Sequence, residues 1–227
     1  MPVSSAGLTA KTVAVYAKDL RVELRNRYAT SIVLMFAITT LAMISFSVGQ
    51  ASLGPRLLAA LFWIVVFFSA MAGLSAVFVR EEESGTALAL RLKTDPTAVY
   101  LGKLLFNLTL LSLVTAVVTP LFFVLTDATA DHIGAFVVIL VLGVIGLCAA
   151  TTLIGAIIAK AAVKGALFSV LSFPILITLL LMLVAASARV LDGQSFGAIF
   201  VELQGLFAYS VVMITASLLL FRFVWRE

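Results

Sequence analysis

The acids Glu81, Glu82 and Glu83, the lone His132 and the lone Cys148 are the side chains best able to do chemistry in this chain. Their spacing supports little of it. Nucleophilic catalysis needs a nucleophile with its base in reach, and a metal site needs several ligands. No Cys–His pair, HExxH or CxxC spacing occurs, and no Gly-x-x-x-x-Gly-Lys-Ser/Thr phosphate loop. Cys148 lies inside an apolar run and reads as a small buried residue. His132 lies in the short acidic loop Asp127–His132. It reads either as a solvated side chain or as a ligand on the outer side, for example to a haem iron. No metal ligand set and no enzymatic centre emerge. If the chain does vectorial work, the energy must come from another chain.

The informative polar stretch is residues 80–96, between two long apolar runs. Arg80, Glu81, Glu82 and Glu83 come first, where a helix leaves the membrane. Ser84-Gly85 breaks the helix, and a short helical pattern follows with Leu88 and Leu92 on one side. Asp95-Pro96 then starts the next long helix, with Asp suited to the N-cap and Pro to the first helical position. Three acids at the negative end of a helix dipole do not serve that helix. Arg80, Arg91, Lys93 and Lys103 balance Glu81, Glu82, Glu83 and Asp95, so the stretch is near neutral. A lipid-adhering loop would be strongly basic. Two readings follow. One is a cytoplasmic docking helix with a Leu88/Leu92 edge and rim charges that set register on a protein partner. The other is a solvated loop whose acids pair with its own Arg and Lys.

The elements that position this stretch are membrane helices. The chain has 227 residues, 63% hydrophobic and 11% charged, with a mean hydropathy of +1.22. Soluble domains are nearer half apolar and one quarter charged. The composition therefore implies an all-α membrane protein, with residues 1–227 as one transmembrane domain. The net charge of +4 reflects Lys and Arg in cytoplasmic loops rather than a nucleic-acid partner.

Lys11 to Tyr28 has an amphipathic helical pattern. Val13, Tyr16, Ala17, Leu20, Leu24 and Tyr28 recur at helical steps, while Lys18, Arg21 and Arg25 fall on another side. This predicts an interface helix over residues 11–28 on anionic headgroups, or an ordinary cytoplasmic lead-in. The stretch is too charged for the apolar region of a cleavable signal peptide. Six spans follow: Ser31–Val48, Leu57–Val79, Val99–Thr126, Ile133–Ala159, Ala166–Ala186 and Leu206–Phe223. Lys103 is placed to snorkel toward water at the start of the third span. Pro120 is expected to kink that span, and Pro174 to break the fifth. Residues 188–205 carry Arg189, Asp192, Glu202 and Gln204, and are expected as one or two short outer-side helices. Ser69-x-x-x-Gly73, Gly146-x-x-x-Ala150 and Gly155-x-x-x-Ala159 permit close helix packing, within the chain or between subunits.

An even number of spans puts both termini on one side. With the termini in the cytoplasm, only Arg56 and Arg189 among the Lys and Arg residues lie outside, as the positive-inside rule requires. The spans lack the midplane acids, His or Lys expected of a secondary transporter, and a self-contained channel is disfavoured with it.

Several stretches resemble the haem exporter protein B, or CcmB, family, the permease subunit of the cytochrome c maturation ABC transporter. Asp19-Leu-Arg-Val-Glu-Leu-Arg25 resembles its lead-in helix. Phe78-Val-Arg-Glu-Glu-Glu-Ser-Gly-Thr86, then Pro96 and Leu101-Gly-Lys103, resemble the loop between its second and third spans. Gly143 to Gly155 and Phe173-Pro174-Ile-Leu-Ile resemble its fourth and fifth spans, and the similarity runs from about Lys18 to Phe221. The Arg-Glu-x-x-x-Gly-Thr pattern is shared with ABC exporter permeases in general. Arg91-Leu-Lys-Thr-Asp95 departs by being more charged than the family's Leu- and Pro-rich segment.

The resemblance implies a non-catalytic subunit of the bacterial inner membrane, paired with a second copy as a homodimer. It implies two copies of a cytoplasmic ABC ATPase, seated on a coupling helix that contains Arg80, Glu81, Glu82, Glu83, Ser84, Gly85, Leu88 and Leu92. It also implies haem-handling membrane subunits and a haem chaperone, with haem handled by the complex and no cofactor held directly by this chain. The alternative on the same fold is a general ABC exporter of lipid, polysaccharide or drug.

Overall fold

The computed structural model describes residues 7–48, 53–74, 81, 85, 90, 92, 94–159 and 164–226. Its helices are α1 (Leu8–Asn26), α2 (Tyr28–Val48), α3 (Pro55–Leu74), α4 (Pro96–Thr126), α5 (Ile133–Ala159), α6 (Lys164–Leu191) and α7 (Phe200–Arg226), with a 3-10 turn at Phe196–Ile199. Among the described residues, six helices are long and apolar enough to cross a membrane, α2 to α7. These match the six expected spans in order.

The apolar runs become helices because a backbone in lipid has no water to satisfy it. α5 is the central strut and packs on α4, α6 and α7, while α3 packs on α2 and α6. Small residues let these helices approach. A Cβ at Gly143 would meet Trp63 at 2.3 Å and Leu183 at 2.8 Å, and one at Gly73 would meet Val33 at 2.0 Å. Gly146 lies against Leu179. Two of the three small-residue pairs, those at Gly73 and Gly146, therefore serve packing inside the chain. At one end an aromatic knot joins α3, α4 and α5, with Phe62 edge-on to Trp63, Phe122 and Phe136 at centroid distances of 5.2–5.5 Å. Trp63 Nε1 donates to Ser187 Oγ of α6 at 2.9 Å.

Three expectations are corrected. α6 runs unbroken through Pro174. Neighbouring helices hold a transmembrane helix together across a proline that would end it in water. Residues 188–205 hold no separate α-helix. They comprise the last turn of α6, a turn at residues 192–195, the 3-10 turn and the start of α7. Arg189 is accommodated there by an ion pair to Glu202 at 3.1 Å and by donating to the Ala198 carbonyl at 2.9 Å. Lys103 does not snorkel: it is 1% exposed.

α1 packs along the first half of α4. Its buried stripe is Thr12, Val15, Asp19 and Glu23. Gly102 makes this possible, since a Cβ there would meet Val15 at 2.7 Å and the Thr12 carbonyl oxygen at 3.0 Å. The apolar Val13 and Leu24 instead face outward, at 57% and 66% exposure. α1 thus has three faces: one on α4, one apolar, and one carrying Arg21 and Arg25, both exposed. Arg27 ends the helix in the left-handed conformation (φ 50°), and its N–H bonds the Glu23 carbonyl. The Glu23 carboxylate accepts the Thr30 N–H at 2.7 Å. One acid thereby fixes the elbow and satisfies an N–H in the first turn of α2.

Candidate functional site

Of the stretch singled out in the sequence, Glu81, Gly85 and Leu92 are described. Arg80, Glu82, Glu83, Ser84 and Leu88 lie outside the described residues. Gly85 adopts φ +69°, consistent with a helix break there. Leu92 is 80% exposed, the apolar edge a docking partner would cover.

Glu81 is a correction. It was expected on the partner-facing surface, yet it is buried and faces the protein. Lys103 Nζ of α4 donates to Glu81 Oε1 at 2.7 Å, and Lys18 Nζ of α1 donates to the same oxygen. Lys103 Nζ also lies 2.9 Å from Asp19 Oδ2, and Lys18 Nζ lies 3.2 Å from Asp19 Oδ1. Each acid therefore meets both lysines. Among the described residues these four charges sum to zero, which suits the burial of Lys103, Asp19 and Glu81, while Lys18 stays partly open to water. Burial alone would lower the Lys18 pKa. The hydrogen bond to Glu81 and the nearby Asp19 and Glu81 charges outweigh that, so Lys18 is held above its ordinary value.

The other end of the segment is tied to the same helix. Asp95 stands at the N-cap position of α4, with Pro96 following, but it makes no side-chain cap bond. It accepts from Lys11 Nζ at 2.7 Å instead, and the Lys11 contact draws its pKa below the ordinary carboxylate value. Lys18 thus has a partner that the headgroup reading did not foresee, while Arg21 and Arg25 stay on the exposed basic face.

The rest of the bundle offers structure rather than chemistry. Asn107 Nδ2 donates to Thr152 Oγ1 at 2.8 Å, joining α4 to α5. Cys148 is fully buried beside this pair, and the Thr152 hydroxyl donates to its carbonyl. His132 is exposed, and its carbonyl accepts the Ala135 and Phe136 N–H groups at the start of α5. Among the described residues no group of three or more His, Cys, Asp or Glu is placed to hold a metal ion.

Sequence reasoning missed Asp19 and did not see that Lys103 is internal. A signal was present: Asp19 and Glu23 continue the Thr12–Val15 stripe at helical spacing on an otherwise basic helix.

Six apolar helices, an amphipathic helix packed on them and an ion-paired segment after the second span define a multi-pass, all-α membrane protein. The chain belongs to the CcmB protein family, whose model matches residues 10–219. It is also similar to Heme exporter protein B of Bradyrhizobium diazoefficiens, at 29% identity over 204 residues, covering 88% of this chain and 91% of that protein.

Proposed function

We propose that this chain is the membrane permease subunit of an ABC-type complex for cytochrome c maturation. It couples ATP hydrolysis by a separate ATPase subunit to haem export or to release of a haem-loaded chaperone. The family match over residues 10–219 carries this reading. The ion-paired segment after α3, with Leu92 standing exposed beyond it, supports a docking role for residues 80–96.

In this reading two copies of the chain meet two ATPase subunits in the bacterial inner membrane, and haem-handling membrane subunits and a haem chaperone complete the complex. In this reading the termini are cytoplasmic, with α1 and Asp95 on the ATPase side and the Arg189–Glu202 pair on the other. Deleting the gene in its host and measuring covalently bound haem in c-type cytochromes tests the function. Loss of that haem with restoration by the wild-type gene is expected. Normal c-type haem in the deletion strain overturns the reading.

A further inference from the structure

Resting on the permease reading above, we propose that Lys103 is a positioning residue. It clamps the docking segment and α1 onto α4, so that α1 is the base plate through which a push from the ATPase reaches the third span.

The geometry has two parts. First, the segment from Glu81 to Asp95 is pinned at both ends to α1. Glu81 is held by Lys18 and Asp95 by Lys11, and these two lysines lie two turns apart on one side of the helix, about 10.5 Å along its axis. Glu81 and Asp95, the described ends of the segment, thus both rest on α1. Second, Lys103 anchors this plate. Its Nζ reaches Glu81 of the segment and Asp19 of α1 together, at 2.7 and 2.9 Å, from the second turn of α4. Gly102, beside it, brings α1 into backbone contact.

A buried charge cluster is a poor way to gain stability, because desolvation offsets most of the attraction. It is a good way to fix one geometry, because every displaced partner leaves an uncompensated charge. An apolar contact between α1 and α4 could slide; this one cannot slide without parting charges. A displacement of Glu81 is therefore shared by Asp19 and Lys103.

The test separates position from stability. Lys103→Met takes one cation away from two acids, Asp19 and Glu81. The double variant Lys103→Met/Glu81→Gln removes one charge of each sign and leaves Lys18 paired with Asp19. The full chain is studied in nanodiscs by hydrogen exchange, and in cells by c-type haem formed per assembled complex. In the double variant the spans should keep wild-type protection and the ATPase should still co-purify. Amide exchange in residues 12–23 should rise at least tenfold, and c-type haem per complex should fall at least tenfold. Unchanged protection of residues 12–23 overturns the clamp. Raised exchange with c-type haem within twofold of wild type overturns its coupling role. Should that double variant fail to fold, Lys103→Met/Asp19→Asn, which breaks the same clamp and leaves Lys18 on Glu81, is read by the same two readouts. A wild-type chain that assembles with no ATPase overturns the permease reading and the coupling role with it, while the exchange result still decides the clamp.

Discussion

Lys103 and Glu81 stand 22 residues apart in sequence, yet the Lys103 ammonium donates to the Glu81 carboxylate at 2.7 Å, and both side chains are buried. This contact turns Glu81, in the segment between α3 and α4, inward and fixes it to the third span. Removing only the positive partner takes one cation away from both Asp19 and Glu81. Lys103→Met is expected to destabilise the protein by about 3–5 kcal/mol, as for other broken buried pairs. The double change with Glu81→Gln should recover most of that loss. Thermal unfolding in detergent, read side by side for the two variants, checks the difference.

The approach of α1 to α4 depends on the absence of a side chain at residue 102. Gly102→Ala places a methyl 2.7 Å from Val15 and 3.0 Å from the Thr12 carbonyl, and backbone on that side cannot yield as a side-chain tip can. A cost of about 1–3 kcal/mol is expected, with faster proteolysis within α1. Gly134→Ala, where nothing lies within 4 Å, is the control and should be neutral or slightly stabilising.

Trp63 and Ser187 join α3 to α6 by a hydrogen bond of 2.9 Å inside the bundle. A double-mutant cycle with Trp63→Phe and Ser187→Ala should give a coupling of about 0.6–1.7 kcal/mol, the range for interhelical hydrogen bonds in membranes. A coupling near zero would show that the bond does not contribute.

The two pins on α1, at Asp95 and at Lys18, shift in opposite directions. The Asp95 carboxyl is drawn below its ordinary value of 3.8 by Lys11. A depressed carboxylate stabilises above its unfolded value, and that stabilisation is lost as pH falls through the folded one. Lys18 is held above its ordinary value of 10.5. Its contribution is complete below that value and is lost as pH rises through the folded one. Hydrogen exchange of α1, corrected for its intrinsic pH dependence, should therefore be flat between these limits. Protection should fall below the Asp95 range and above the Lys18 range. Asp95→Asn should remove the acid limb alone, and a steep change near neutral pH would contradict the assignment.

The six spans were legible because an unbroken apolar run of about 20 residues has one stable fate in lipid. The amphipathic α1 and the Asp95-Pro96 start of α4 were legible from local pattern for a similar reason. What escaped the sequence was pairing between distant residues. Asp19 and Lys103 are 84 positions apart, and nothing local says that the charge on α4 turns inward rather than toward water. Pro174 misled because the rule for isolated helices gives way when neighbouring helices support the backbone. Residues 188–205 misled because Arg189 and Glu202 cancel one another, so charges that looked too costly for long helices are tolerated at their ends. Of the residues expected to dock, Glu81 is the one whose direction the fold reverses.

The central claim is that this membrane subunit works with a separate ATPase in haem handling. Its most direct test is gentle detergent purification of the tagged chain from its host, followed by mass spectrometry and a haem absorption spectrum. Recovery of an ATP-binding subunit together with a haem-bearing membrane partner is the expected result. Recovery of the chain with neither would contradict the claim.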